Sequence, residues 1–158
     1  MAQGTVGTLD PAAVGHLSGL DIMRGIIAGE LPRPPISAAL RFELAEAGPG
    51  RATFAGTPGS DFHNPYGTVH GGYIATLMDS AMTCAVQTTV GAGLGVTTVE
   101  FKINFVRPVR AEVGRLRAEA SVITSGKRLG TAEGRLVDDG GTLYAHGTTT
   151  CMIYPLQG

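Results

Sequence analysis

The sequence predicts an α+β fold in which an antiparallel sheet of about six strands wraps around one long central helix. The helix follows Gly71-Gly72, where apolar residues recur every three or four positions, as on a buried helical face. Two alternating segments precede this helix and four follow it. A wide apolar helix face must be buried, and an antiparallel sheet has one apolar face to offer. The apolar arc contains Ile74, Leu77, Met78, Ala81, Met82 and Ala85.

Length and composition indicate one domain without a strong charge field. The chain has 158 residues, 43% of them hydrophobic and 16% charged, with a net charge of −1. Such a balance argues against partners such as nucleic acid or an anionic membrane. The first residues lack the charged and apolar regions of a signal peptide, so we expect a cytoplasmic location. Cys84 and Cys151 lie in apolar contexts and are expected to be small buried thiols.

The N-terminal part divides from the rest near residue 35. Residues 1–35 are predicted to form an arm and a short helix, and residues 36–158 the main domain. Residues 1–17 have no periodicity and are expected to be loose. Ser18, followed three residues later by Asp21, predicts the start of the short helix. Three prolines, the last at position 35, end it.

Six segments carry strand signals. Residues 38–47 and 51–57 are predicted to form a hairpin around Gly48-Pro49-Gly50. After the helix, apolar and polar residues alternate between Val99 and Phe105, the clearest such pattern in the chain. The remaining strands are predicted at Leu116–Val122, at residues 128–137 and at Leu143–Tyr154.

The polar side of the central helix is unusual. Its residues are Gly72, Thr76, Asp79 and Thr83, so a lone carboxylate lies among small residues. An ordinary exposed helix face would carry Lys, Glu and Gln. Residues 63–87 contain no Lys, Arg, Glu or second Asp, so Asp79 has no local ion-pair partner. Either this carboxylate lies in water or it serves chemistry.

The segments HNPYGTVHGGYIATLMDSA and INFVRPV resemble those of the hotdog-fold acyl-CoA thioesterases of the PaaI-like branch, which includes phenylacetic-acid-degradation and 4-hydroxybenzoyl-CoA thioesterases. The similarity extends from about Ile36 to Tyr154, and its most specific part is HGG with an acidic residue nine positions after the histidine. The resemblance implies a homodimer with shared active sites, often paired into a homotetramer. It implies no cofactor, because CoA is part of the substrate.

The resemblance also implies roles for individual residues. Asp79 matches the catalytic carboxylate, acting as general base or as nucleophile. Gly71 matches the glycine whose N–H polarises the thioester carbonyl, as a helix N-terminus can. Asn64 matches a position that orients the attacking water, and the sequence offers two hydroxyls, Thr83 and Thr98, to support that water. His70 is expected to fix the turn from loop to helix.

For the CoA phosphates, the resemblance points to Arg107 and to the turn Ser125-Gly126-Lys127-Arg128. Cations and the N–H groups of a turn suit phosphate oxygens. Without the resemblance, these charges would be interpreted as solvated turn residues.

Hydrolysis of an aryl- or medium-chain acyl-CoA is the predicted function, with two competing functions and one alternative interpretation of the site. His63, His70 and Asp79 together have the composition of a metal site. A hotdog dehydratase or hydratase would need a paired histidine and acidic residue at a spacing that the chain lacks. A non-catalytic acyl-CoA sensor would carry a DNA-binding module, and the arm before Ile36 is too short and uncharged to be one.

Overall fold

The computed structural model describes residues 4–156, which form four helices and six strands. Two single-turn 3-10 helices, Ser60–Phe62 and Ala111–Val113, lie in connecting loops. The helices are α1 (Pro11–Val14), α2 (Gly19–Ala28), α3 (Pro35–Ala39) and α4 (Gly71–Gln87). The strands are β1 (Phe42–Gly48), β2 (Arg51–Gly56), β3 (Leu94–Phe105), β4 (Leu116–Ser125), β5 (Leu129–Asp138) and β6 (Leu143–Pro155).

The six strands form one sheet in the order β1-β2-β4-β5-β6-β3, and every neighbouring pair is antiparallel. The predicted sheet, the hairpin β1–β2 and the central helix are therefore confirmed. All six apolar residues predicted on the buried arc of α4 are at most 3% exposed. Five of the strands contact α4 closely, β2 to β6, so the sheet wraps around it. Among residues 4–156, no helix combines the length and the apolar character needed to cross a bilayer.

Two glycines allow α4 to lie very close to the sheet. A Cβ built on Gly134 of β5 would lie 2.9 Å from Cγ of Met82, and one on Gly130 would lie 2.5 Å from a methyl group of Val86. Any larger residue would push the strand away from the helix. The position of α4 is thus fixed by its close contact with the glycine backbone of β5.

The prediction that residues 1–17 form a loose arm is wrong for the described part, residues 4–17. Backbone hydrogen bonds join Gly7 and Thr5 to Arg33, at 3.0 and 2.9 Å, and α1 buries Val14 to 4% exposure. Val14 belongs to a second small core with Ile22 and Met23. The few apolar residues of the arm show no helical or strand period, because tertiary packing and not an amphipathic helix buries them.

The predicted helix start at Ser18 is confirmed, since its hydroxyl accepts a hydrogen bond from the Asp21 N–H at 3.2 Å. The strand predicted from residue 38 begins later. Pro35 stands at the first position of α3, where its fixed φ favours a helix. Arg41 then adopts a left-handed φ of 54°, and β1 begins at Phe42.

β3 is an edge strand, and much of its predicted apolar side is uncovered. The exposed fractions of Val99, Phe101 and Phe105 are 60%, 42% and 53%. A β-bulge between Thr98 and Glu100 shifts the register against β6. An exposed apolar edge strand is a surface on which a strand of another chain can pair.

Candidate active site

The N-terminus of α4 carries an unused hydrogen-bond donor. His70 is the N-cap residue, and its Nδ1 accepts a hydrogen bond from the Gly72 N–H at 2.8 Å. The Tyr73 N–H donates to the His70 carbonyl oxygen at 3.0 Å. The Gly71 N–H has no acceptor within residues 4–156. His70 thus caps α4, and Gly71 presents a free N–H at the positive end of the helix dipole.

The ring of Phe105, at the end of β3, lies over this N-terminus. A Cβ built on Gly71 would be 3.4 Å from Cζ of Phe105. Phe105 was not among the predicted site residues. Only its place in the INFVRPV segment could have suggested it, because the contact depends on how β3 is placed beside α4.

Asn64 organises the loop that leads to the helix. Its Oδ1 accepts from the N–H groups of Tyr66 and Thr68, at 2.9 and 3.2 Å, and its Nδ2 donates to the Thr68 hydroxyl at 2.8 Å. These bonds close a compact turn six residues before His70. The side chain therefore holds the loop in place, and its predicted role in orienting water stays a prediction.

Asp79 lies half-buried on α4, and one of its oxygens is held by both predicted threonines. Oδ1 accepts from the Thr98 hydroxyl at 2.7 Å and from the Thr83 hydroxyl at 3.3 Å. The two hydroxyl oxygens are 2.7 Å apart. Oδ2 has no hydrogen-bond partner within residues 4–156. The carboxylate is thus fixed through one oxygen, while the other remains available for a water molecule or a reacting carbon.

The two thiols lie behind this cluster and are not activated. Burial, followed by the negative charge of Asp79, raises the pKa of Cys84 to about 12. Burial also raises the pKa of Cys151, whose Sγ lies 3.7 Å from the Thr83 hydroxyl. Both cysteines are free. Cys151 is fully buried as predicted, whereas Cys84 is half-buried and borders two cavities.

One chain does not bring the predicted phosphate-binding residues together. The Arg107 N–H donates to the Tyr144 carbonyl oxygen, whereas Leu129, just after the turn at residues 125–128, pairs with Met152. Tyr144 and Met152 are eight residues apart on β6, or about 26 Å. Arg107 and the turn thus lie at opposite ends of the sheet.

Within the turn, two of the predicted groups already have partners. The Ser125 hydroxyl is 2.8 Å from that of Thr89, and the Gly126 N–H donates to the Leu129 carbonyl oxygen at 2.9 Å. The side chains of Lys127 and Arg128 are exposed. These two cations are the groups of the turn that remain open to a ligand.

The metal site considered from the sequence is not assembled. Within residues 4–156, no three His, Cys, Asp or Glu side chains are grouped so that they could hold a metal ion. Nδ1 of His70 is occupied by the Gly72 N–H, and Nε2 of His63 is buried without a partner.

A long helix wrapped by a six-stranded antiparallel sheet is the hotdog fold. The sheet leaves one face of α4 uncovered, where Gly72 is exposed and Asp79 is half-buried. The chain belongs to the thioesterase superfamily, whose family model matches residues 66–145, about half of the chain. That stretch contains the free Gly71 N–H and the whole Asp79 cluster.

Individual relatives agree with this family. A candidate esterase from Halobacterium salinarum is 37% identical over 93 residues, which are 57% of this chain and 60% of that protein. The chain thus spans less than two thirds of this relative. The crystal structure of a candidate thioesterase related to phenylacetic acid degradation, from Ralstonia eutropha, is similar with a TM-score of 0.75 and 28% identity, covering 83% of this chain and 98% of that one.

The PaaI protein of the Escherichia coli phenylacetic acid degradation operon has the same fold. Its TM-score is 0.74 at 22% identity, covering 89% of this chain and 98% of that protein. At this identity the likeness concerns the fold alone.

Proposed function

We propose that this protein is an acyl-CoA thioesterase that hydrolyses an aryl- or medium-chain acyl-CoA to the free acid and CoA. The observation that carries this proposal is the arrangement of Asp79, with Oδ1 held by two hydroxyls and Oδ2 free. A carboxylate fixed in this way is suited to act as general base on water or as nucleophile on the thioester carbon. Its place among small residues leaves room for an acyl group.

The free Gly71 N–H supplies the second requirement of the reaction. Negative charge develops on the carbonyl oxygen as the carbon becomes tetrahedral, and a donor aimed at that oxygen stabilises it. When Asp79 acts as general base, the water oxygen bonds to the carbon and its proton passes to Asp79. The C–S bond then breaks, and the CoA thiolate takes up that proton. His70 supports this step indirectly, because its bond to Gly72 keeps the first turn of α4 in position.

The spacing of these two groups favours a site built from two subunits. Gly71 and Asp79 are eight residues apart on α4, or about 12 Å along the helix axis. Direct contacts from both to one carbonyl group would require a shorter separation. A partner chain lying against the uncovered face of α4 would place its Gly71 near Asp79 of the first chain. The exposed apolar edge β3 supports such pairing.

A shared site would also remove the separation of the phosphate-binding residues. Arg107 of one chain and the turn at residues 125–128 of the other can lie at the same end of a paired sheet, since antiparallel pairing of two copies reverses one of them. We therefore retain Arg107, Lys127 and Arg128 as the proposed cations for the CoA phosphates, in a homodimer that pairs further into a homotetramer.

The decisive experiment measures thiol release from a panel of aryl- and straight-chain acyl-CoAs. The wild type is compared with Asp79→Asn and with Asp139→Asn, which removes an equal charge from an exposed turn. We expect Asp79→Asn to lose at least about a hundredfold in kcat/KM, while Asp139→Asn keeps the wild-type rate. Equal rates for all three proteins would remove Asp79 from the mechanism, and a wild type that binds acyl-CoA without turnover would be a sensor.

A mixing experiment tests the shared site. Asp79→Asn and Gly71→Ala are each expected to be weakly active alone. In a mixed dimer, one site carries both changes and the other carries neither, so random reassociation should restore about a quarter of the wild-type sites. Activity that stays at the average of the two variants would place each site within a single chain.

A further inference from the structure

An apolar cavity of about 230 Å³ begins beside the Asp79 cluster. Thr83, whose hydroxyl donates to Oδ1 of Asp79, forms part of its wall. From there the cavity follows α4 past Cys84 to Gln87, a distance of about 6 Å along the helix axis. The cavity thus begins at Thr83, one of the two hydroxyls that hold Asp79, and runs away from the helix N-terminus.

Much of the cavity wall comes from the N-terminal segment, which lies outside the stretch matched by the family model. Leu9, Ile22 and Met23 face Thr83 and Cys84 across the cavity. Ile22 and Met23 are 4% and 6% exposed and belong to the second core. This wall is held in place by the bonds of the arm to Arg33. The N-terminal segment therefore helps to shape the cavity together with α4 and β3.

A second and larger cavity, of about 790 Å³, lies on the other side of the same wall. Its lining includes the apolar residues Ile26, Ile27, Leu44 and Phe54, and also the charged residues Arg33, Glu43, Glu46, Arg115 and Arg117. Leu9, Met23 and Cys84 line both cavities, so these three side chains separate them. Of the three, Met23 has the longest and most flexible side chain, and methionine adapts readily to irregular gaps.

We propose that the smaller cavity holds the acyl tail of the substrate, and that Met23 sets the greatest chain length by closing the passage to the larger cavity. This inference rests on the proposed function, because the acyl tail is defined by a thioester positioned at Asp79. Each methylene group buried in an apolar cavity contributes about 0.8 kcal/mol to binding. A chain that ends at Met23 gains this contribution, and a longer chain must displace the side chain.

The test measures binding, so it does not depend on turnover. Thioether analogues of acyl-CoA, which cannot be hydrolysed, are titrated calorimetrically in a series from butyryl to palmitoyl. In the wild type we expect affinity to rise with chain length and then to fall. Met23→Ala should move the maximum to longer chains and tighten palmitoyl binding at least about tenfold. Met23→Phe should move the maximum to shorter chains and leave the butyryl analogue unaffected.

Met82→Ala is the matched control. Met82 is fully buried against the sheet on the other side of α4 and lines neither cavity. The Met82→Ala variant should have a lower Tm than the wild type, and its affinities for the analogues should depend on chain length as in the wild type. A wild-type order in both Met23 variants, or binding by the wild type without dependence on chain length, would overturn the inference. If the Met23 variants shift the chain length of greatest affinity but the wild type hydrolyses no acyl-CoA, the proposed hydrolysis is wrong and the cavity assignment still holds.

Discussion

Thr98 on β3 donates a hydrogen bond to Oδ1 of Asp79 on α4 across 2.7 Å, whereas Thr83 reaches the same oxygen at 3.3 Å. Thr83 lies one helical turn after Asp79, and Thr98 comes from a different element. The shorter bond is therefore the one between elements. It ties the uncovered face of α4 to the edge strand, so the orientation of the carboxylate depends on the position of β3.

The difference between these two bonds predicts unequal effects of removing the hydroxyls. A hydrogen bond to a charged group contributes about 1.5–3 kcal/mol. We expect Thr98→Val to reduce kcat/KM about tenfold to a hundredfold, and Thr83→Val to reduce it less. Thr98→Ser keeps a hydroxyl and should retain most of the activity. Steady-state kinetics on the best substrate of the panel measure all three, and a larger loss in Thr83→Val would reverse the assignment.

The cap at His70 predicts a separate effect on stability. Replacing a capping side chain with alanine typically costs about 1 kcal/mol. We expect His70→Ala to lower the free energy of unfolding by about this amount and also to lower kcat, because the first turn of α4 carries the Gly71 N–H. His70→Asn supplies another acceptor for the Gly72 N–H and should recover the stability. Chemical denaturation at neutral pH measures the stability of the wild type and the two variants. Equal stability of these three proteins would mean that the His70 side chain does not stabilise the helix N-terminus.

The elements of this fold that sequence alone could predict are those with a strong internal signal. The helix α4 has an apolar arc, Ser18 is a capping residue, and β4 alternates regularly from Leu116. By contrast, α3 was not predicted, because apolar and polar side chains alternate in the sequence of residues 38–47. Only the left-handed backbone conformation of Arg41 separates the helix from the strand. The packed arm was missed because its burial comes from contacts with Arg33 and α2, which are distant in sequence.

The same distinction applies to the candidate site. The positions of Gly71 and Asp79 on one helix follow from local sequence, since helical geometry fixes their separation. Which threonine holds Asp79 could not be decided, because the distance from Thr98 to Asp79 depends on how β3 and its bulge pack beside α4. The positions of Phe105 beside Gly71 and of Met23 between the two cavities could not be predicted either, since both depend on neighbours far along the chain.

Gly71→Ala is expected to separate stability from activity. An added Cβ would lie 3.4 Å from Cζ of Phe105, an ordinary contact, so the Tm should change little. The same methyl group would occupy space through which a carbonyl oxygen approaches the Gly71 N–H, and kcat/KM should fall about tenfold or more. Phe105→Leu in the same background relieves the contact without restoring the approach. Full activity in Gly71→Ala would remove this N–H from the oxyanion site.

The raised pKa of the cysteines predicts unreactive thiols in the folded protein. With its pKa at about 12, Cys84 stays neutral at assay pH, and only the thiolate attacks disulfide reagents. Native protein at pH 8 should therefore react slowly with Ellman's reagent, and both thiols should react after denaturation. Because burial is the main cause, Met23→Ala, which opens the wall beside Cys84, should increase the native rate. Fast reaction of the wild type would contradict the raised pKa of Cys84 and the burial of Cys151.

The exposed edge of β3 predicts that one charge will impair both assembly and catalysis. Phe101 is 42% exposed on this edge, and a lysine there disfavours pairing with a second copy. Loss of a central aromatic contact typically costs about 2 kcal/mol, so Phe101→Lys should weaken dimerisation about thirtyfold or more. Ile36→Lys introduces the same charge at a residue 50% exposed on α3 and should leave assembly unchanged.

Both effects are measured over a dilution series. In Phe101→Lys, the sedimentation coefficient and kcat/KM should fall together, because a shared site needs Gly71 of the partner. A monomer with the full wild-type rate would mean that Asp79 acts with donors of its own chain.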